Sequence, residues 1–167
     1  MEHRKATADD LPAILDICTQ AKAFLRSCGV DQWQDGSPEA RDFMQDIERG
    51  GCHVFLEDGR IIAMVTLLAG EEPAYRDIEG RWLSDGPYAV IHRSAVCDAY
   101  RGPGVANGLI SLCQTLCAER GVHSIRVDTH AQNRPMRALL EKHGFTYCGK
   151  VFYIYDPGKV NVRVAYE

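Results

Sequence analysis

The sequence lacks an apolar run long enough to cross a bilayer. Its longest apolar stretch, Ile61 to Ala69 with Thr66 inside it, falls far short of the roughly 20 residues a spanning helix needs, which excludes a transmembrane segment. A surplus of positive charge is also missing. The 19 Lys and Arg stand against 23 Asp and Glu, a formal net charge of -4, so no basic stripe is available for a phosphate backbone and nucleic acid is excluded as the main partner. There is no Cys-x-x-Cys among the 7 cysteines. Their odd, scattered count predicts neither a disulfide framework nor a zinc knuckle, and fits reduced thiols in a cytoplasmic protein without a bound metal. Met1 to Lys5 carries no apolar segment or small-residue cleavage site, so no cleaved secretion signal is expected. Neither Gly-x-x-x-x-Gly-Lys-Ser/Thr nor Gly-x-Gly-x-x-Gly occurs, which removes the two common nucleotide-binding loops. No repeat, low-complexity tract or Gly/Ser/Pro linker divides the chain.

What remains is an ordinary globular composition. With 167 residues, 46% apolar and 25% charged, the chain suits one domain spanning 1–167. His3 to Ala6 reads as a short strand. Thr7 to Asp10 reads as a capping box opening a helix whose Leu11, Ile14, Leu15, Cys18, Ala21 and Leu25 share one face before Gly29. Ser37-Pro38, as N-cap and first helical residue, predicts a second helix through Ala40, Phe43 and Ile47 to Gly50-Gly51. Cys52 to Glu57 and Arg60 to Ala69 flank Asp58-Gly59 as an antiparallel hairpin. Gly70 to Gly86 is a long polar connection, of a length used at substrate sites.

Tyr88 to Cys97 is a strand with Tyr88, Val90, His92, Ser94 and Val96 on one face and Ala89, Ile91, Arg93 and Ala95 on the other. Gly104 to Arg120 is a helix stopped by Gly121, and His123 to Thr129 the next strand. A shorter helix runs from Asn133 to Gly144. Phe145 to Tyr155, a Pro157-Gly158 turn and Val160 to Tyr166 close the chain as an antiparallel pair. The class is mixed α/β, with a central sheet covered by helices.

The most informative segment is Arg101-Gly102-Pro103-Gly104-Val105-Ala106, which carries a strand into a helix. Glycines let a backbone approach a ligand closely, and the free N–H groups of a helix's first turn seat an anion. On the glycines alone, a plain tight turn explains the segment equally well.

The order of segments says more. Arg101-x-x-Gly104-x-Ala106 after the strand ending in Ala95-Val96 resembles the Arg/Gln-x-x-Gly-x-Gly/Ala signature of the GNAT superfamily of N-acyltransferases. Asn133 through Leu139-Leu140-Glu141-Lys142-His143-Gly144-Phe145 resembles that family's second signature, about 30 residues on. The close match covers Tyr88 to Cys148. The resemblance implies a largely antiparallel twisted sheet of about six to seven strands flanked by about four helices, and an acetyl-CoA-dependent N-acetyltransferase acting on a primary amine of a small molecule or peptide. It places pantetheine along the backbone of Ser94, Ala95 and Val96, the pyrophosphate against Arg101, Gly102, Pro103, Gly104, Val105 and Ala106, and Asn133 beside the pantetheine arm. It also implies a homodimer through the C-terminal strands. Asn133 equally suits a plain helix N-cap.

The catalytic groups are less determined. Many relatives carry a proton-donating Tyr just before the Glu-Lys of the second signature, where this chain has Leu140. Tyr147 is the first substitute, with Tyr153 and Cys148 near it in sequence. His92, titrating near pH 6.5, could accept the amine proton. Asp128 and His130 close a strand at the edge where open sheets bind ligands, and Trp33 and Trp82 in Gly-containing loops could wall the amine site. Two other readings stay open. One is a CoA-binding sensor or scaffold without turnover, prompted by Leu140. The other is a cysteine hydrolase pairing Cys97 or Cys148 with His92 or His130.

Overall fold

Capping chemistry sets the first element pair. Strand β1 (Glu2–Lys5) leads into a 3₁₀ turn at Ala8–Asp10 and helix α1 (Leu11–Ser27). The Asp10 carboxylate accepts the Thr7 N–H at 2.8 Å and both Arg4 guanidinium nitrogens, at 2.6 and 2.9 Å. The Arg4 guanidinium foremost holds the Asp10 carboxyl down at about 2. The computed structural model describes residues 2–102, 104–156 and 158–167. Both Pro103 in the glycine turn and Pro157 in the last hairpin turn lie outside the described residues.

Helix α2 (Ala40–Glu48) does not begin at Ser37-Pro38. Its N-cap is Glu39, whose N–H donates to Asp42 Oδ2 at 2.6 Å, while the Ser37-Pro38 bond is cis and sits in the preceding loop. A carboxylate three residues into the helix satisfies the orphan amide that the Ser37 hydroxyl was expected to cover.

The remaining elements are β2 (Cys52–Glu57), β3 (Arg60–Ala69), β4 (Glu79–Gly80), β5 (Ala89–Val96), α3 (Val105–Glu119), β6 (Ile125–Thr129), α4 (Arg134–Lys142), β7 (Tyr147–Asp156) and β8 (Lys159–Tyr166). One 8-stranded sheet runs in the order β1-β2-β3-β5-β6-β8-β7-β4. The strand beyond the expected seven is β4, two residues inside the Gly70 to Gly86 connection. Gly80 and Gly149 make that pairing possible, because a Cβ on either would lie 2.1 to 2.2 Å from the opposite backbone carbonyl. One face of the sheet buries Ile110 and Cys113 of α3 and Leu140 of α4 against Val65, Ile91 and Val127. The other face buries Ile14 and Ile17 of α1 and Phe43 of α2 against Val54, Met64 and Ala95.

The alternation expected along β5 breaks at its centre. Arg93 pairs with Thr66 and Ile91 with Leu67, so His92 is an extra residue without a β3 partner. A bulge of this kind inverts the faces that follow it. Ile91 therefore packs on the α3 side while Ala95 packs on the α1 side, and the expected common face for Ala89, Ile91, Arg93 and Ala95 is corrected.

The Gly70 to Gly86 connection is pinned near its second end. The Arg126 guanidinium lies 4.3 Å from the Trp82 ring and 3.9 Å from the Tyr88 ring, and donates to the Ser84 carbonyl at 2.6 Å. The Glu167 side chain accepts the Leu83 N–H at 2.7 Å and hydroxyls from Ser124, at 2.6 Å, and Ser84.

An acid-labile residue lies in β2. His53 is 4% exposed and neither ring nitrogen has a hydrogen-bond partner. Burial first, then the nearby Arg120 and Lys5 charges, pushes its pKa down to about 4. The unfolded chain takes up this proton near pH 6.5, the folded chain only near pH 4, so stability is complete above pH 6.5 and falls as pH drops through that window. At about 1.4 kcal/mol per pH unit, the loss by pH 4 is about 3 kcal/mol. Urea denaturation at pH 7 and pH 4.5 should show most of that drop, and His53→Phe should remove it. An equal drop in the variant would place the lability elsewhere.

Candidate active site

The site begins where two strands part. Strands β5 and β6 run parallel and pair only at Ala89↔Ile125, Val90↔Arg126 and Ile91↔Val127. Beyond Ile91, β5 stays bonded to β3 as far as Val96↔Ala63, while β6 stays bonded to β8 through Asp128↔Ala165 and Thr129↔Val164. A notch opens between them, and a cavity of about 340 Å³ fills it. The β5 backbone from His92 to Val96 has no strand on its notch side, leaving main-chain donors and acceptors for a ligand.

At the outer end of the notch stands the start of α3. Gly104 caps the helix, and its carbonyl takes the N–H of Gly108 at 3.0 Å. The amides of Val105, Ala106 and Asn107 precede that bond, so they and the helix dipole can serve an anion. A Cβ placed on Gly102 or Gly104 would meet nothing within 4 Å, and neither has a positive φ. Glycine at these positions is thus not demanded by the protein's own packing.

Arg101 lines the cavity but is held by α1. Its guanidinium lies 4.0 Å from the Phe24 ring centre, donates to the Gln20 carbonyl at 3.0 Å and pairs with Asp98. It therefore ties the glycine turn to α1. Ser94, Ala95, Val96, Gly102, Ala106 and Asn133 also line the cavity, whereas Val105 is buried in the core. Asn133 caps α4, its Oδ1 accepting the Met136 N–H at 3.3 Å. Its Nδ2 donates to Thr129 Oγ1 at 3.1 Å and to Gln32 Oε1 at 3.3 Å. Gln32 Oε1 also takes the Thr129 hydroxyl at 3.0 Å and the His130 N–H at 3.1 Å, so one side chain from the loop after α1 fastens the end of β6 to α4.

The inner end holds the titratable groups. His92, the bulged residue, has Nδ1 3.8 Å from Glu72 Oε2. Burial foremost lowers its pKa, Glu72 and Asp128 opposing and Arg93 assisting, so the ring is neutral at pH 7. Asp128 lies on the neighbouring strand and accepts the hydroxyls of Tyr75 and Tyr153 at 2.7 and 2.8 Å. Arg93 lines the wall, paired with Asp46 and lying 5.8 Å from the Phe43 ring centre.

Of the expected acceptor residues, Trp33 and Asp128 line this cavity. Trp82 does not. Its indole N–H donates to the Tyr75 carbonyl at 3.0 Å and its ring packs on Tyr75, so it acts here as a loop anchor. His130 borders a separate cavity of about 480 Å³ with Asp31, Asp35 and Lys159. Tyr147 is 50% exposed, edge-on to Tyr166 at 5.9 Å, and outside the notch cavity. Leu140 is fully buried in the core and lines no part of the cavity. Cys97 and Cys148 are buried and also lie off the cavity, and burial raises the Cys148 thiol, the reverse of what a cysteine nucleophile needs. Sequence reasoning missed Gln32, Glu72 and Tyr75. Only Glu72-Pro73 carried a signal, that of a cap before a first-turn proline, and it does open a 3₁₀ turn at Pro73–Tyr75.

Among the described residues, no group of three or more His, Cys, Asp or Glu could hold a metal, and no helix is long and apolar enough to cross a membrane. Residues 18–145 match the model of the acetyltransferase (GNAT) family. The chain belongs to that family. A GNAT-family acetyltransferase from Streptococcus agalactiae is 35% identical, with a TM-score of 0.86 over 99% of this chain and 92% of the other. One from Listeria monocytogenes is 22% identical, with a TM-score of 0.75 over 99% and 92%. A ribosomal-protein-alanine N-acetyltransferase from Brucella melitensis is 20% identical, with a TM-score of 0.67 over 99% and 98%, and shares the fold. No curated protein matches the chain.

Proposed function

We propose that the chain transfers an acetyl group from acetyl-CoA to a primary amine of a small molecule or peptide. The observation that carries this is the notch itself, with unpaired β5 backbone on one wall and the free amides of α3 at its mouth. A linear, amide-bearing arm ending in a pyrophosphate fits those two features in that order. The backbone of Ser94, Ala95 and Val96 would hold the pantetheine arm, Gly102 to Ala106 the pyrophosphate, and Asn133 the far wall. Acetyl-CoA supplies an activated acyl carbon with a thiol as leaving group.

The residues then divide the proton work. An amine that is protonated at neutral pH must shed one proton before its nitrogen can attack. His92, neutral and set at the parting of the strands, takes that proton. With Nδ1 toward Glu72, Nε2 is left for the cavity. In the balance, a carbon–nitrogen bond forms and the carbon–sulfur bond breaks, and the nitrogen gives up two protons. The first goes to the imidazole and on to solvent before attack, and the second leaves the nitrogen as the tetrahedral adduct collapses and ends on the departing sulfur as free thiol. A free thiol titrates near pH 8.5, so it departs with little assistance, consistent with a core leucine at 140.

Calorimetric titration with acetyl-CoA, with ATP and NAD as controls, tests the cofactor assignment. Micromolar binding of acetyl-CoA alone is expected, with acceptor-dependent release of free thiol in an amine screen. Binding without thiol release across that screen would favour the sensor reading that Leu140 suggests. Absence of binding would leave the turn before α3 as a structural feature only.

A further inference from the structure

Asp128 lines the notch where β6 leaves β5, and the protein does not neutralise it. Both phenols, from Tyr75 and Tyr153, donate to the same oxygen, Oδ1. Among the described residues, Oδ2 has no hydrogen-bond partner and no Lys or Arg pairs with the carboxylate. Tyr75 is fully buried, with its ring against Trp82 at 5.0 Å, and burial drives its phenol far above the usual range. It therefore keeps its proton and can only donate to Asp128. The carboxylate is fixed by two donors on one oxygen and presents the other as a bare acceptor.

Two of the charges near it are already committed. Arg93, the cation on the same wall, is taken by Asp46, and Glu72 faces His92. A carboxylate left unpaired beside a half-enclosed cavity selects a cationic group and disfavours a second carboxylate brought beside it. Resting on the acetyl-transfer reading above, we infer that Asp128 Oδ2 seats the ammonium group of the acceptor. The acceptors are then aliphatic primary amines, charged at neutral pH and carrying no carboxylate on the carbon that bears the nitrogen.

Two pairs of near-isosteric probes isolate these features. Cyclohexylamine and aniline share a ring but only the first is cationic at pH 7. The compounds n-pentylamine and norleucine share a chain, and norleucine adds the carboxylate. With acetyl-CoA and the wild-type protein, kcat/KM should favour cyclohexylamine and n-pentylamine by about ten- to hundredfold, the range of a charged hydrogen bond gained or lost. Asp128→Asn, which keeps the acceptor oxygen for the phenols, should raise the KM for n-pentylamine by a similar factor and leave the KM for acetyl-CoA unchanged. It should also remove the thermal stabilisation that n-pentylamine gives the wild-type protein. If the variant does not fold, the two wild-type preferences still decide. Acetyl-CoA binding together with a preference for norleucine or aniline would overturn this inference alone, as would n-pentylamine kinetics within about twofold in Asp128→Asn. No acetyl-CoA binding in the wild type would overturn the acetyl-transfer reading and this inference with it.

Discussion

Gly104→Val is expected to weaken acetyl-CoA binding by about 100-fold while the protein remains folded. In the free chain a Cβ at 104 meets nothing within 4 Å and the local φ is -87°, so the side chain has both room and an accessible backbone conformation. The cost to the fold is that of a poorer N-cap, about 1 kcal/mol. A ligand phosphate drawn onto the amides of Val105, Ala106 and Asn107 would occupy the space that the valine methyls fill. Each charge-assisted hydrogen bond lost there is worth about 1.5 to 3 kcal/mol, so the loss of one or two accounts for a factor of about 100. Thermal melting and calorimetry on the same preparation separate the two effects. Unchanged affinity in a folded variant would move the phosphate seat away from α3.

The path from residues to fold was open wherever local chemistry and tertiary packing agree. The apolar spacing of α1, the Asp58-Gly59 turn and the Thr7 to Asp10 box each specify their element without help, and each is present. Local signals failed where a distant partner decides. The start of α2 moved two residues because Asp42 reaches back to Glu39, which competes with the Ser-Pro signal upstream. Strand β4 is two residues long and exists because Gly80 and Gly149 allow two backbones to touch, a contact 69 positions apart in the chain.

The site divides the same way. The half proposed to hold acetyl-CoA is a contiguous strand, turn and helix, so its glycines and helix start could be read in order along the sequence. Its inner half is assembled from separate segments. Gln32 follows α1, Glu72 and Tyr75 come from the long connection, and Asp128 lies one residue before the end of β6. No periodicity links these positions. The bulge that sets His92 at the strand junction is likewise invisible, because it arises from register with β3 and not from β5 itself.

That bulged histidine carries the second large effect. His92→Gln should lower kcat/KM for an aliphatic amine by about 10²- to 10⁴-fold, the usual worth of a positioned proton acceptor, with little change in acetyl-CoA affinity. The pH profile distinguishes this role from a structural one. Burial is the main cause of the lowered His92 pKa, Glu72, Asp46 and Asp128 oppose it, and Arg93 adds to it. A base must be neutral to accept a proton, so wild-type kcat/KM should rise with pH along a limb centred below pH 6.5. His92→Gln should abolish that limb. Glu72→Gln removes an anion that favours the imidazolium, so it should move the limb to lower pH without abolishing it. A merely structural histidine would give a glutamine variant with the same limb at reduced amplitude. That result would pass the proton to another group facing the notch, and Asp128 is the carboxylate nearest to hand on the neighbouring strand.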